Sequence, residues 1–147
     1  MSGTGNPAGF DDLRRSLFEA AGRGLVDKPK LVPILADLER RVVAEGADIG
    51  FAFDGDGDRF FVVDDRGRFV PGDFVTALMG CYMLERDPGG KIVYDVRCSW
   101  AVRDLISTAG GTPLMERVGH SFLKPRIFEE GAVYAGELSG HYYFRDF

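Results

Sequence analysis

The chain has 147 residues, 45% hydrophobic and 28% charged, with 12 phenylalanines and a formal net charge of -5. That is enough apolar material for one ordinary domain core or two small ones. The acidic balance argues against a nucleic-acid or anionic-membrane partner, and no apolar run approaches the ~18 residues of a membrane span.

The opening "MSGTGNPAGF" has neither a basic start nor an apolar stretch, so no secretory signal is read there and the expected compartment is the cytoplasm. Residues 1–9 are expected to be disordered. Leu13, Leu17, Phe18 and Ala21 recur at three and four residues, which predicts an amphipathic helix over 11–21. "VDKPKLVP" reads as an extended linker, because each proline disfavours the α region for the residue before it. "ILADLERRVVAEG" predicts a stronger helix, with Ile34, Leu35, Leu38, Val42 and Val43 on one face and Gly46 closing it.

"DIGFAF" (48–53) predicts a short apolar strand, and "FFVVDDRGRFV" (60–70) two strand pieces joined by a turn at Asp65-Arg66-Gly67. "PGDFVTALMGCYMLERD" predicts a helix with Asp73 as its cap. "KIVYDV" is a buried-type strand, and "SWAVRDLISTAGG" a helix capped by Ser99 and stopped by Gly110-Gly111. "TPLMERV" is a further strand. "HSFLKPRIFEEG" predicts a short helix in which Pro125 must sit in the first turn or cause a kink. "AVYAGE" and "HYYFRDF" finish as strands or extended segments. Cys81 and Cys98 match no metal spacing and are expected to be reduced and buried. The alternation of strand and helix predicts an α/β fold of mixed, largely parallel sheet layers with flanking helices, and a boundary near Pro71-Gly72.

The segment "DGDGDR" (54–59) stands apart. Asp54, Asp56 and Asp58 alternate with glycines, so an extended or curled loop turns all three carboxylates to one side. Two unit charges ~4 Å apart repel by ~4 kcal/mol at an effective dielectric near 20. Such a loop calls for full solvation or a cation. Three hard oxygens with positions left over suit Mg²⁺. The alternatives are a solvated acidic turn and a calcium loop. The latter needs Gly at its sixth position and Glu at its twelfth, where this chain has Arg59 and Asp65. Arg59 beside the carboxylates suits bidentate contact with an anion, and metal plus arginine suits charge developing on a phosphoryl group.

With those residues in view, "DIGFAFDGDGDRFFVVDDRG" resembles the metal-binding loop of the α-D-phosphohexomutases. "YDVRCS" (94–99), "VGHSFLK" (118–124) and "GELSGHYYF" (136–144) are similar to later motifs of that family, in the same order. "GE-x-SGH" with Leu138 at the variable place resembles the phosphomannomutase/phosphoglucomutase branch more than the phosphoglucosamine mutases.

The resemblance implies an enzyme that interconverts hexose 1-phosphates and 6-phosphates through a phosphoserine and a 1,6-bisphosphate. It implies Mg²⁺ on Asp54, Asp56 and Asp58, and Arg59 at the reacting phosphate. Glu137 and Ser139 are implied at sugar hydroxyls, and His141, His120 and Arg97 in the same cleft, with Lys124 as a further phosphate contact. The implied catalytic group is Arg59, His141 and His120, and the implied partner a sugar phosphate.

Without the resemblance, Glu137 and Ser139 read as solvated loop residues and His141 as a packing histidine. "GELSG" is not the G-x-S-x-G of a hydrolase. By the same resemblance, residues 1–30 form a variable or disordered segment, 31–71 the end of the family's second domain, and 72–147 most of its third. No segment resembling "TASHNP" or "RxSxTEP" is found. The expectation is therefore that the remaining domains come from a longer chain and that these 147 residues alone do not turn over. A non-catalytic Mg²⁺-dependent sugar-phosphate module is the alternative from another class.

Overall fold

A computed structural model describes residues 32–146. The predicted helix over 11–21 and the N-terminal segment lie outside the described residues. The elements, in order, are α1 (Val32–Glu45), β1 (Ile49–Phe53), β2 (Phe60–Asp64), β3 (Phe69–Val70), α2 (Gly72–Arg86), β4 (Lys91–Asp95), α3 (Trp100–Thr108), β5 (Thr112–Glu116), α4 (His120–Glu130), β6 (Tyr134–Gly136) and β7 (Tyr142–Phe144).

β1, β2 and β3 form an antiparallel sheet in that order. The turn joining β2 to β3 is closed by Asp64, whose carboxylate accepts the N–H groups of Arg66 and Arg68 at 3.0 and 2.7 Å. α1 covers this sheet with Val42, which is buried, but Val43 on the predicted buried face is 58% exposed. Val43 is displaced because a helix advances about 100° per residue, so adjacent residues cannot both face a single thin sheet. β1 forms the edge among the described residues, and Phe53 at its end is 65% exposed.

The second sheet has the order β5-β4-β6-β7. β4 pairs in parallel with β5 and β6, and β7 returns antiparallel to β6. The fold is thus α/β with mixed sheets, and the parallel pairing is confined to the part where helices separate the strands. A parallel neighbour needs a crossover, and α3 and α4 supply them.

Alternation along β4 sorts the core into two layers. Ile92 and Tyr94 face Ala77, Cys81 and Leu84 of α2 and Val102 and Ile106 of α3. Val93 faces Leu123 and Ile127 of α4. Each buried Val, Leu or Ile among them contributes about 1.5–3 kcal/mol relative to an exposed one. α2 also packs on the first sheet, through Phe74 and Val75 against Val62 and Val70. One helix therefore serves both sheets across the predicted boundary at Pro71-Gly72.

Asp73 is not the cap of α2. Pro71 takes that place with φ -58° and ψ 148°, as suits a residue with no N–H to leave unpaired. The Asp73 carboxylate instead accepts the N–H groups of Phe74 at 3.0 Å and Ser99 at 3.2 Å, tying the start of α2 to the start of α3. Ser99 does stand at the N-cap of α3, without a side-chain cap bond. Pro125 lies beyond the first turn of α4, inside the helix, where it leaves one carbonyl without an intrahelical donor. Both cysteines are free, with Cys81 buried and Cys98 half-buried. Among the described residues no helix is long and apolar enough to cross a membrane.

Candidate functional site

The parallel strands β4, β5 and β6 end at the same edge of their sheet. The segments that follow carry Arg97 and Glu137 on loops and His120 as the first residue of α4. Ligands of open α/β sheets collect outside the carboxyl ends of the strands. The Asp54–Arg59 loop comes to this edge from the other sheet.

That loop is a tight connection between β1 and β2. Gly57 donates to the Asp54 carbonyl at 3.2 Å with φ +74°, a value that glycine adopts without steric cost. The Arg59 N–H donates to Asp54 Oδ1 at 3.2 Å. The outcome is that one carboxylate oxygen each from Asp54, Asp56 and Asp58 lies within 4.8 Å of the others. Partial burial opposes ionisation of Asp54. The Arg59 N–H, the hydrogen bond with Asp58 and the Arg59 charge outweigh it, so its carboxyl is held below the usual carboxylate value. A charged, acceptor-only oxygen set of this size suits a hard divalent cation and leaves places for water or phosphate oxygens.

Arg59 turns from this loop toward the segment after β6. Its Nε lies 3.5 Å from Asp54 Oδ2 and 3.8 Å from Asp58 Oδ1, and it donates to His141 Nε2 at 3.2 Å. His141 Nδ1 lies 3.0 Å from Ser139 Oγ, and Ser139 Oγ donates to Glu137 Oε2 at 2.8 Å. The Arg59 contact calls for a lone pair on His141 Nε2, whereas a carboxylate beside the same atom calls for a proton there. Asp58 Oδ2 is 3.3 Å from the same Nε2. The loop backbones are joined as well, since the Phe60 N–H donates to the Gly140 carbonyl at 3.0 Å. Gly140 has φ +91°, and a methyl there would stand 3.0 Å from the Phe60 carbonyl oxygen, so the close approach of the two loops requires glycine.

Glu137 is 3% exposed and both its oxygens are engaged. Oε2 takes Ser139 and stands 3.6 Å from Arg97 Nη2, while Oε1 accepts the Tyr143 hydroxyl at 3.0 Å. Burial first, and then the neighbouring Glu137 carboxylate, push the Tyr143 hydroxyl well above its ordinary value, so it remains a donor. Arg97 reaches Ser139 Oγ at 3.4 Å. Its guanidinium is held above the ordinary arginine value, chiefly by its hydrogen bond with Asp95.

Eight of the ten residues singled out in the sequence thus meet in one connected region: Asp54, Asp56, Asp58, Arg59, Arg97, Glu137, Ser139 and His141. Asp56 belongs through the carboxylate cluster alone. His120 does not join. It is the exposed first residue of α4, at the same sheet edge but without a hydrogen bond or ion pair to the others. Lys124 lies one turn further on, with its Nζ 5.6 Å from the centre of the Tyr143 ring.

Two contributors were not singled out in the sequence: Asp95 and Tyr143. Asp95 carried a signal, being an acid at the end of an otherwise apolar buried-type strand. Tyr143 carried none beyond its alternation with Tyr142. An apolar groove of about 570 Å³ lies between the first sheet and α2, lined by Ile49, Phe51, Val70 and Leu78 among others. No site residue lines it, so the polar chemistry and the large apolar groove do not coincide.

An α/β domain with an acidic loop facing a polar network at the carboxyl ends of its parallel strands is the class that this architecture defines. Residues 71–147 match the family model described as phosphoglucomutase/phosphomannomutase, alpha/beta/alpha domain III. The chain is 45% identical over 122 residues to a phosphomannomutase of Escherichia coli K12, covering 83% of this chain and 27% of that one. A protein of Xanthomonas campestris pv. campestris described as phosphohexose mutases is 43% identical over 118 residues, which is 80% of this chain and 26% of its own. A crystal structure of a phosphoglucomutase/phosphomannomutase family protein from Burkholderia thailandensis superposes with a TM-score of 0.73 at 43% identity, over 77% of this chain and 25% of that one. The chain belongs to the phosphoglucomutase/phosphomannomutase family. It spans about a quarter of the length of these relatives.

Proposed function

We propose that this chain is part of a phosphohexomutase of the phosphomannomutase/phosphoglucomutase type, interconverting hexose 1- and 6-phosphates through a phosphoserine and a 1,6-bisphosphate. The remaining domains would belong to a longer chain, the working compartment would be the cytoplasm, and Mg²⁺ would be the resident cation. The observation that carries this reading is the join between two motifs 82 residues apart, Arg59 on the acidic loop and His141 on the segment after β6.

Asp54, Asp56 and Asp58 would hold the cation. When bound, it supplies positive charge against phosphoryl oxygens. The residues of the chain divide the other tasks. Arg59 is placed to pair with a phosphate, because its guanidinium is half exposed and carries more donors than its single hydrogen bond to His141 uses. Glu137 and Ser139 form an acceptor-and-donor pair of the kind that matches vicinal sugar hydroxyls. In the unliganded arrangement they satisfy each other, so a sugar enters by replacing the Ser139–Glu137 bond with its own. Arg97 adds a cation at the same edge, and Lys124 a second. His141 turns Nδ1 toward Ser139 and presents Nε2 toward the acidic loop. There it can take or return a proton at a sugar oxygen once Arg59 turns to phosphate. His120 would take part only if a ligand or another segment brought the start of α4 nearer.

Isothermal titration of the 147-residue chain with Mg²⁺, followed by glucose 1-phosphate, tests the reading. Mg²⁺ should bind at one site, and Asp56→Asn should weaken it at least about tenfold, since among the described residues Asp56 has no hydrogen-bond or ion-pair partner whose loss would complicate the result. Glucose 1-phosphate should bind more tightly with Mg²⁺ present. Mg²⁺ binding that is indifferent to Asp56→Asn, or an absence of sugar-phosphate binding, would overturn it.

A further inference from the structure

Asp95 closes β4, and its side chain is 0% exposed. A carboxylate buried to that degree is stable only when its oxygens are occupied. Oδ1 accepts the Arg97 backbone N–H at 2.7 Å and Nε–H at 3.2 Å. Oδ2 accepts Arg97 Nη2 at 2.7 Å and the Leu138 N–H at 2.9 Å. Three of these bonds fix one arginine on the loop after β4. The fourth fixes the loop after β6, between Glu137 and Ser139. An unrestrained arginine carries several rotatable bonds, and a two-point grip on a buried carboxylate removes most of that freedom. The gripped guanidinium is the one that stands 3.4 Å from Ser139 Oγ and 3.6 Å from Glu137 Oε2.

We propose that Asp95 is a positioning residue for sugar-phosphate recognition, acting through the Arg97 guanidinium and the Leu138 amide to set the distance between a ligand-facing cation and the Glu137–Ser139 pair. This rests on the functional reading above. It goes beyond that reading by placing specificity in a residue that no ligand touches. If Asp95 served only the stability of the strand end, its removal would weaken folding and leave the behaviour of Arg97 unaltered.

A double-mutant cycle in the 147-residue chain tests the proposal. Asp95→Asn keeps the shape and an acceptor for Leu138 while removing the charge that grips Arg97. In the unliganded chain, the Arg97 Nε–H proton should be resolved and slow to exchange by NMR, and Asp95→Asn should speed its exchange at least about tenfold. With Mg²⁺ present, Asp95→Asn should weaken glucose 1-phosphate binding at least about tenfold, but less than about twofold in an Arg97→Ala background. Unchanged Arg97 exchange, an unchanged affinity, or an equal loss with and without Arg97 would each overturn the proposal.

Where Asp95→Asn does not fold, Arg97→Lys takes its place. It keeps the charge and loses the fork, so it should bind sugar phosphate nearly as poorly as Arg97→Ala, and full affinity would overturn the proposal. A wild-type chain that binds no glucose 1-phosphate defeats the functional reading and this role with it. A wild type that binds while Asp95→Asn binds equally well defeats the Asp95 role alone.

Discussion

Gly136 is the last residue of β6, directly before Glu137, and its strand faces Thr76 of α2. A methyl at this position would overlap Thr76 Oγ1 outright and lie 2.6 Å from Cγ2 and 2.8 Å from Cβ. Thr76 is fully buried, and its hydroxyl donates to the Gly72 carbonyl at 2.8 Å, so it cannot swing aside without losing that bond. Gly136→Ala should therefore force helix and strand apart, costing about 3 kcal/mol, the upper part of the range for overpacking a close-packed core. Thr76→Ala alone should cost about 1–2 kcal/mol, for the lost hydrogen bond and methyl. The double variant should be more stable than the sum of the two implies, by at least about 1 kcal/mol, because the atoms that collide have been removed. Urea unfolding of the four proteins reads these differences directly. Strict additivity, or a Gly136→Ala cost below about 0.5 kcal/mol, would refute the claim that α2 sets the position of β6 and hence of Glu137.

Cys98 and Asp64 give further tests. Burial first, and then the Asp95 and Asp73 carboxylates, push the Cys98 thiol from 9.0 up to about 12, so its thiolate fraction at pH 8 falls from about one in ten to about one in ten thousand. Alkylation should be about a thousandfold slower at Cys98 in the folded chain than in urea, and comparable rates would refute the burial argument. The raised value also sets a sign. The folded chain holds a proton that the unfolded chain releases, so this contribution to stability is intact below pH 9 and lost progressively between 9 and 12. Asp64→Ala should cost about 2–3 kcal/mol, since it strips acceptors from the Arg66 and Arg68 amides inside a turn. Asp64→Asn, which keeps an acceptor oxygen, should cost less than half as much in chemical denaturation. Equal costs would show that the charge on Asp64, and not the turn bonding, holds the hairpin.

Much of the fold was legible because the patterns are local. Apolar runs bounded by Gly, Pro and Asp marked β1 to β5 to within two or three residues, and marked the segments of β6 and β7 as strands or extended. The helices followed from three- and four-residue spacing or from the glycines that stop them. The misreadings came where two neighbours compete for one place. Asp73 carries a capping side chain, but Pro71 occupies the cap, and the carboxylate went to Ser99 instead. Val43 continued an apolar pattern that the small sheet beneath it could not cover. Cys98, expected to be buried, is only half so, because it follows the strand end and not the strand.

By itself the sequence determined which residues carry charge and hydrogen-bonding capacity, and that three aspartates on a glycine-rich loop share one side. Those follow from covalent spacing and backbone permissiveness within six residues. Only tertiary structure decided that Arg59 meets His141, that Asp95 grips Arg97 and Leu138 together, and that His120 stands apart from both. Such contacts join residues up to 82 positions apart. They depend on how α2 spaces two sheets against each other, a distance set by side-chain volumes in a shared core that local pattern does not encode.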